Sequence, residues 1–166
     1  MAELTQKERL QPSLLDRLTD DAPDKLQESR EQRVLSLSKL RSGVLRDLAW
    51  LLNTSTLDTV QSLDEYPLVS HSVVNFGVYD LVGTTLSRAD VPEIQRQIRQ
   101  AIWDFEPRIS RESVVVKVSV SENKMHQNAM TFDIEGELWA QPLPLRLYFR
   151  TELDLETGNM EIIDRG

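Results

Sequence analysis

Met130-Thr131-Phe132-Asp133-Ile134-Glu135-Gly136-Glu137-Leu138 alternates apolar and polar side chains along most of its length. Successive side chains of a strand point to opposite faces. This stretch therefore buries Met130, Phe132, Ile134 and Leu138 and leaves Thr131, Asp133, Glu135 and Glu137 on a polar face. Its neighbours read the same way. Val114, Val116, Val118 and Val120 alternate with Val115, Lys117 and Ser119. Leu145, Leu147, Phe149, Leu153 and Leu155 alternate with Arg146, Tyr148, Arg150, Glu152 and Asp154. A polar loop at Asn123 to Asn128 joins the first two strands. Glu156-Thr157-Gly158-Asn159 is a turn, and Met160 to Ile163 a short return strand. One apolar and one polar face is the pattern of an antiparallel sheet covered on one side only.

The cover lies upstream. Leu37, Leu40, Val44, Leu48, Leu51 and Leu52 recur at helical spacing, which predicts a helix over 36–53. Gly43 costs that helix roughly 1 kcal/mol against alanine, so it marks a close neighbour. Ile94, Ile98, Ala101, Ile102 and Phe105 predict a second helix over 90–105. Asp90 and Glu93 have capping-box spacing, and Pro107 ends the helix. Between them, 55–89 is mostly irregular, with Val73-Val74-Asn75-Phe76-Gly77-Val78 read as a short buried segment and Asp80 to Gly83 as a turn. The fold class is α+β: two main helices packed on one face of a mostly antiparallel sheet of about four strands. Residues 1–33 are expected to form a flexible arm, and 34–166 a single α+β domain.

In the arm, Ser13 is placed to cap a short helix carrying Leu14, Leu15 and Leu18. Two readings stand side by side: a frayed terminus, or a segment that folds on a partner and buries those leucines.

Composition excludes several classes. With 19 basic and 27 acidic residues the net charge is -8, which makes free nucleic acid a poor partner. No cysteine is present, so disulfides and thiolate zinc sites are excluded. The first thirty residues hold no apolar stretch suited to a secretory signal, and no run approaches membrane-spanning length. The expected location is the cytoplasm, without membrane insertion. The two histidines, His71 and His126, lack metal-ligand spacing. Nucleophile-elbow and phosphate-loop motifs are absent. Asp133, Glu135 and Glu137 share the polar face with Lys117, Arg146 and Arg150, which reads as cross-strand pairing rather than a catalytic carboxylate pair. No cofactor is expected.

Glu106-Pro107-Arg108 follows the second helix. Pro107 fixes its own backbone and biases Glu106 toward an extended state. The two charges are then either held outward for docking or closed on each other as a clamp between helix and first strand.

These landmarks occur in a particular order: Pro12-Ser13-Leu14-Leu15-Asp16-Arg17-Leu18, Val44-Leu45-Arg46-Asp47-Leu48-Ala49-Trp50-Leu51-Leu52-Asn53-Thr54, Val73-Val74-Asn75-Phe76-Gly77 with Asp80-Leu81, then Phe105-Glu106-Pro107-Arg108-Ile109 before the strands. The order resembles the TssE family of type VI secretion baseplate proteins, which is similar to the small wedge protein of contractile phage baseplates once filed as lysozyme-related. The resemblance implies a structural wedge component beside TssF, TssG and TssK. It also implies a β-rich part that starts polymerisation of the TssB–TssC sheath by strand exchange. The family's Glu-Pro-Arg motif falls on Glu106, Pro107 and Arg108, where it helps hold the wedge core together. The alternatives are a generic α+β interaction module or a muramidase-like hydrolase.

Overall fold

The computed structural model describes residues 13–19, 23–24, 36–80, 90–120, 129–139 and 144–164. Its helices are α1 (Leu14–Leu18), α2 (Leu37–Leu52), α3 (Pro67–Ser70) and α4 (Val91–Phe105). Its strands are β1 (Val115–Val120), β2 (Ala129–Leu138), β3 (Leu145–Asp154) and β4 (Met160–Asp164). They form one sheet in the order β1-β2-β3-β4, with every neighbouring pair antiparallel. This is the α+β architecture that the alternation predicted.

Each main helix begins at a side-chain cap. Ser36 accepts from the Lys39 N–H and Asp90 from the Glu93 N–H, which satisfies donors that the helix cannot. The α2 stripe of Leu40, Val44, Leu48, Leu51 and Leu52 is buried, as is the α4 stripe of Ile94, Ile98, Ala101 and Ile102. α4 packs over β1 and α2 over β4, so the two helices lie on one face of the sheet. Phe132, Ile134, Leu147 and Phe149 fill the middle of the layer between. The polar face carries the expected pairs: Arg150 grips Asp133 at 2.7 and 3.0 Å, and Lys117 reaches Glu135 at 3.2 Å.

The 73–78 segment is buried as expected at Gly77 and Val78 but departs from expectation at its start. Val73 and Val74 are exposed, and Val73–Asn75 is a 3-10 turn. The polar Asn75 is buried in their place. Its carbonyl accepts from the Asp58 N–H and its amide donates to the Ser70 carbonyl. An irregular loop must satisfy its backbone groups from within, and here an amide does that better than a valine. Gly77 is required: its φ is +138°, and a Cβ there would lie 2.3 Å from the Thr54 carbonyl oxygen. Strand β1 begins one residue later than read, because Arg111–Ser113 forms a 3-10 turn. β3 ends at Asp154, which leaves Leu155 in the turn. Most of the arm, residues 81–83 of the predicted turn, and the 123–128 loop with His126 lie outside the described residues.

Candidate functional site

Glu106 is the C-cap of α4, and its side chain is only 3 % exposed. A buried carboxylate needs a cation. Arg108 supplies it through a fork, with Nε 2.6 Å from one carboxylate oxygen and an Nη 2.5 Å from the other. The intervening Pro107 makes the return short, and the Arg108 N–H bonds the same carboxylate at 3.1 Å. The clamp geometry is therefore adopted, and Glu106 is not held outward.

The clamp continues across elements. The Arg108 guanidinium also donates to Asp47 on α2 at 2.6 Å. Arg46 pairs with the other Asp47 oxygen at 2.9 Å and reaches Asp16 of α1 at 2.6 Å. Charges thus alternate from Glu106 through Arg108, Asp47 and Arg46 to Asp16. Burial works against the charge on Arg108, but the Glu106 and Asp47 carboxylates outweigh it and hold its pKa above the ordinary arginine value. Burial also opposes ionisation of Asp16, and hydrogen bonds from Ser13 and Arg46 override it, so its pKa falls below the usual 3.8. The Arg108 backbone carbonyl accepts from the Trp139 N–H at 2.8 Å, which ties the corner to the end of β2.

Two glycines make room here. At Gly43 of α2, a Cβ would sit 3.4 Å from an Asp16 carboxylate oxygen and 3.9 Å from Arg108 Nη1. This is the close neighbour that the sequence implied. At Gly136 of β2, a Cβ would lie 2.8 Å from Ile109 Cγ2, so the residue after the corner can lie flat on the sheet.

α1 is turned the opposite way from an ordinary amphipathic helix. Its polar Asp16 faces the protein, held by Arg46 and capped by Ser13. Leu14 and Leu18 face out at 71 % and 76 % exposure, and Leu15 is also exposed.

The sheet has two outer edges, β1 and β4. At β4, the Asn53 amide donates to the Met160 carbonyl at 2.9 Å and its carbonyl accepts from the Met160 N–H at 2.8 Å. Met160 therefore directs both backbone groups away from β3. In an antiparallel strand this direction alternates, so Glu161 and Ile163 bond β3 while Ile162 and Asp164 face outward like Met160. Asn53 plugs the first of these positions. Among the described residues nothing bonds the backbone of Ile162.

The chain matches the family model described as baseplate wedge protein gp25 over residues 38–143. The chain belongs to that family. The matched span includes α2, α4, Glu106, Pro107, Arg108, β1 and β2 of this gp25-family protein. It stops before β3 and leaves α1, β3 and β4 outside. No curated protein and no solved structure matches the chain. Membership makes this protein a structural component of a baseplate, where it contacts other baseplate proteins. Among the described residues no helix is long and apolar enough to cross a membrane.

Sequence reading found Glu106 and Arg108 but not the partner Asp47 or the further links Arg46 and Asp16, nor Asn53 as an edge plug. The adjacent opposite charges Arg46-Asp47 beside the α2 stripe were the available signal. For Asn53 there was none, because an Asn after a helix reads only as its end.

Proposed function

We propose that this gp25-family protein is a TssE-type component of a type VI secretion machine in the cytoplasm. It docks on the wedge beside TssF, TssG and TssK and starts growth of the TssB–TssC sheath by accepting a strand at the β4 edge. The supporting observation is the outward, unpaired backbone of Ile162. A sheet edge with free N–H and C=O groups templates another chain's strand. β4 reads Met-Glu-Ile-Ile-Asp, with no proline or lysine to discourage pairing. β1 carries the edge lysine Lys117 and follows the Arg111–Ser113 turn, which makes it the poorer acceptor.

In this reading 34–166 is one wedge domain and 1–33 an arm. Leu14, Leu15 and Leu18 of the arm contact a wedge partner, while Glu106, Pro107 and Arg108 set the orientation in which α1 presents them. A non-enzymatic role agrees with the polar face, where Asp133 and Glu135 are neutralised by Arg150 and Lys117.

Ile162→Pro removes the outward N–H without touching a bond to β3, and Ile162→Ala controls for lost packing. We expect both variants to enter baseplates, with sheaths abolished only by proline. Sheaths of normal number and length on Ile162→Pro baseplates would refute strand acceptance at β4.

A further inference from the structure

Residues 55–78 form a loop closed at its neck. Thr56 N–H bonds the Val78 carbonyl at 3.1 Å, and Val78 N–H bonds the Thr54 carbonyl at 2.8 Å. Its inside is ordered by Asn75, by the buried Leu63, and by Asp58, which accepts from the Leu63 N–H at 2.8 Å and from the Tyr79 hydroxyl. α3 packs on the Val73–Asn75 turn, and that turn on the Leu57–Thr59 turn. Long loops built in this way are commonly functional.

The outside of this scaffold carries large apolar side chains. Leu68 is 88 % and Val73 82 % exposed, with Val60, Val74 and Tyr66 also in solvent. These side chains contribute little to the fold. Grouped apolar exposure of this kind marks a contact surface.

The charges that the loop itself carries have one sign. From Asp47 through Ser87 the sequence has no lysine or arginine. Asp64 and Glu65 are exposed, and no cation pairs with either among the described residues. His71 is already tied to Asp104 at 2.8 Å. The Tyr79 bond to Asp58, its burial, and the charges of Asp58, Asp64 and Glu93 push the phenol pKa up to about 12.

We propose that this closed loop is a docking surface for a segment of another baseplate protein, one that lays apolar side chains on Leu68, Val73 and Val74 and sets lysine or arginine against Asp64 and Glu65. Nucleic acid and anionic lipid are disfavoured by the Asp64 and Glu65 carboxylates. A second copy meeting the same patch brings the same acidic rim and repels itself. The inference rests on membership of a baseplate and not on strand acceptance at β4.

The test places a photo-crosslinking p-benzoylphenylalanine at Leu68, and separately at Val73, and irradiates assembled baseplates. Mass spectrometry of the cross-linked peptides is expected to find another baseplate protein, with Lys or Arg beside the apolar attachment site. Combining Asp64→Lys with Glu65→Lys should cut the yield about tenfold or more, and Lys/Arg→Glu in the partner should restore it. Cross-links confined to this chain or to a second copy would overturn the proposal. An acidic attachment peptide, or a yield indifferent to charge reversal, would do the same. Baseplates that contain the chain but give no cross-link defeat the surface alone, whereas baseplates that form without the chain defeat the wedge reading itself.

Discussion

The corner at Glu106 and the loop at 55–78 reverse the usual placement of side chains. The corner puts a carboxylate inside, against an arginine that bridges α4 to α2. The loop puts Leu68, Val73 and Val74 outside, above an interior held by Leu63, Asp58 and Asn75. The first arrangement stabilises the isolated chain and has little left to offer a partner. The second leaves apolar surface exposed. In the proposed reading the charged motif acts mainly within the protein, and the less conspicuous valines and leucines are the contact groups.

The largest effect should come from breaking the corner. Arg108→Ala leaves Glu106 buried without a cation, which we expect to cost about 3 kcal/mol in urea unfolding of the isolated chain. Arg108→Lys should recover only part, since an ammonium cannot reproduce the fork. Unchanged stability in Arg108→Ala would show that the corner is free for partners, which is the opposite of the comparison drawn above.

A smaller loss is expected at Gly136→Ala, about 1–2 kcal/mol, as Ile109 is forced off the sheet. Its melting temperature should fall while the outer face of the loop is untouched. Leu68→Ser and Val73→Ser should stay within about 0.5 kcal/mol of the parent, because exposed side chains away from special features rarely matter to stability. A loss as large as that at Gly136 would mean that these residues pack in solution and are not on display.

The most local effect concerns α1. Asp16 has a depressed pKa in the folded chain, so its stabilisation is complete above the ordinary value of 3.8 and is lost as pH falls through the lower folded value. Proteolysis within α1 should be slow from pH 5 to 8 and accelerate only in more acid solution. Asp16→Asn should accelerate it at neutral pH as well, at a cost to global stability below about 1 kcal/mol.

Much of the fold was legible because period-two and helical patterns each face one core. Phe132 and Phe149 had one side to go to, and so did the stripes of α2 and α4. The loop was misread for a definite reason. Val73 and Val74 look buried by type, as Val78 is, but an irregular backbone needs an internal amide, and Asn75 took their place. The motif residues Glu106 and Arg108 were visible, whereas the Arg108 bond to Asp47, and the link from Asp47 through Arg46 to Asp16, depend on how the elements meet, which no local spacing encodes. Asn53 plugs β4 only because the end of α2 lies over that strand.

Amide hydrogen exchange at β4, read residue by residue, tests strand acceptance most directly. In the isolated chain Ile162 should exchange quickly while Glu161 and Ile163, bonded to β3, exchange slowly. In baseplates carrying a sheath the Ile162 amide should become protected as well. An Ile162 amide that stays fast after sheath assembly, or that is already protected in the free chain, would contradict the account.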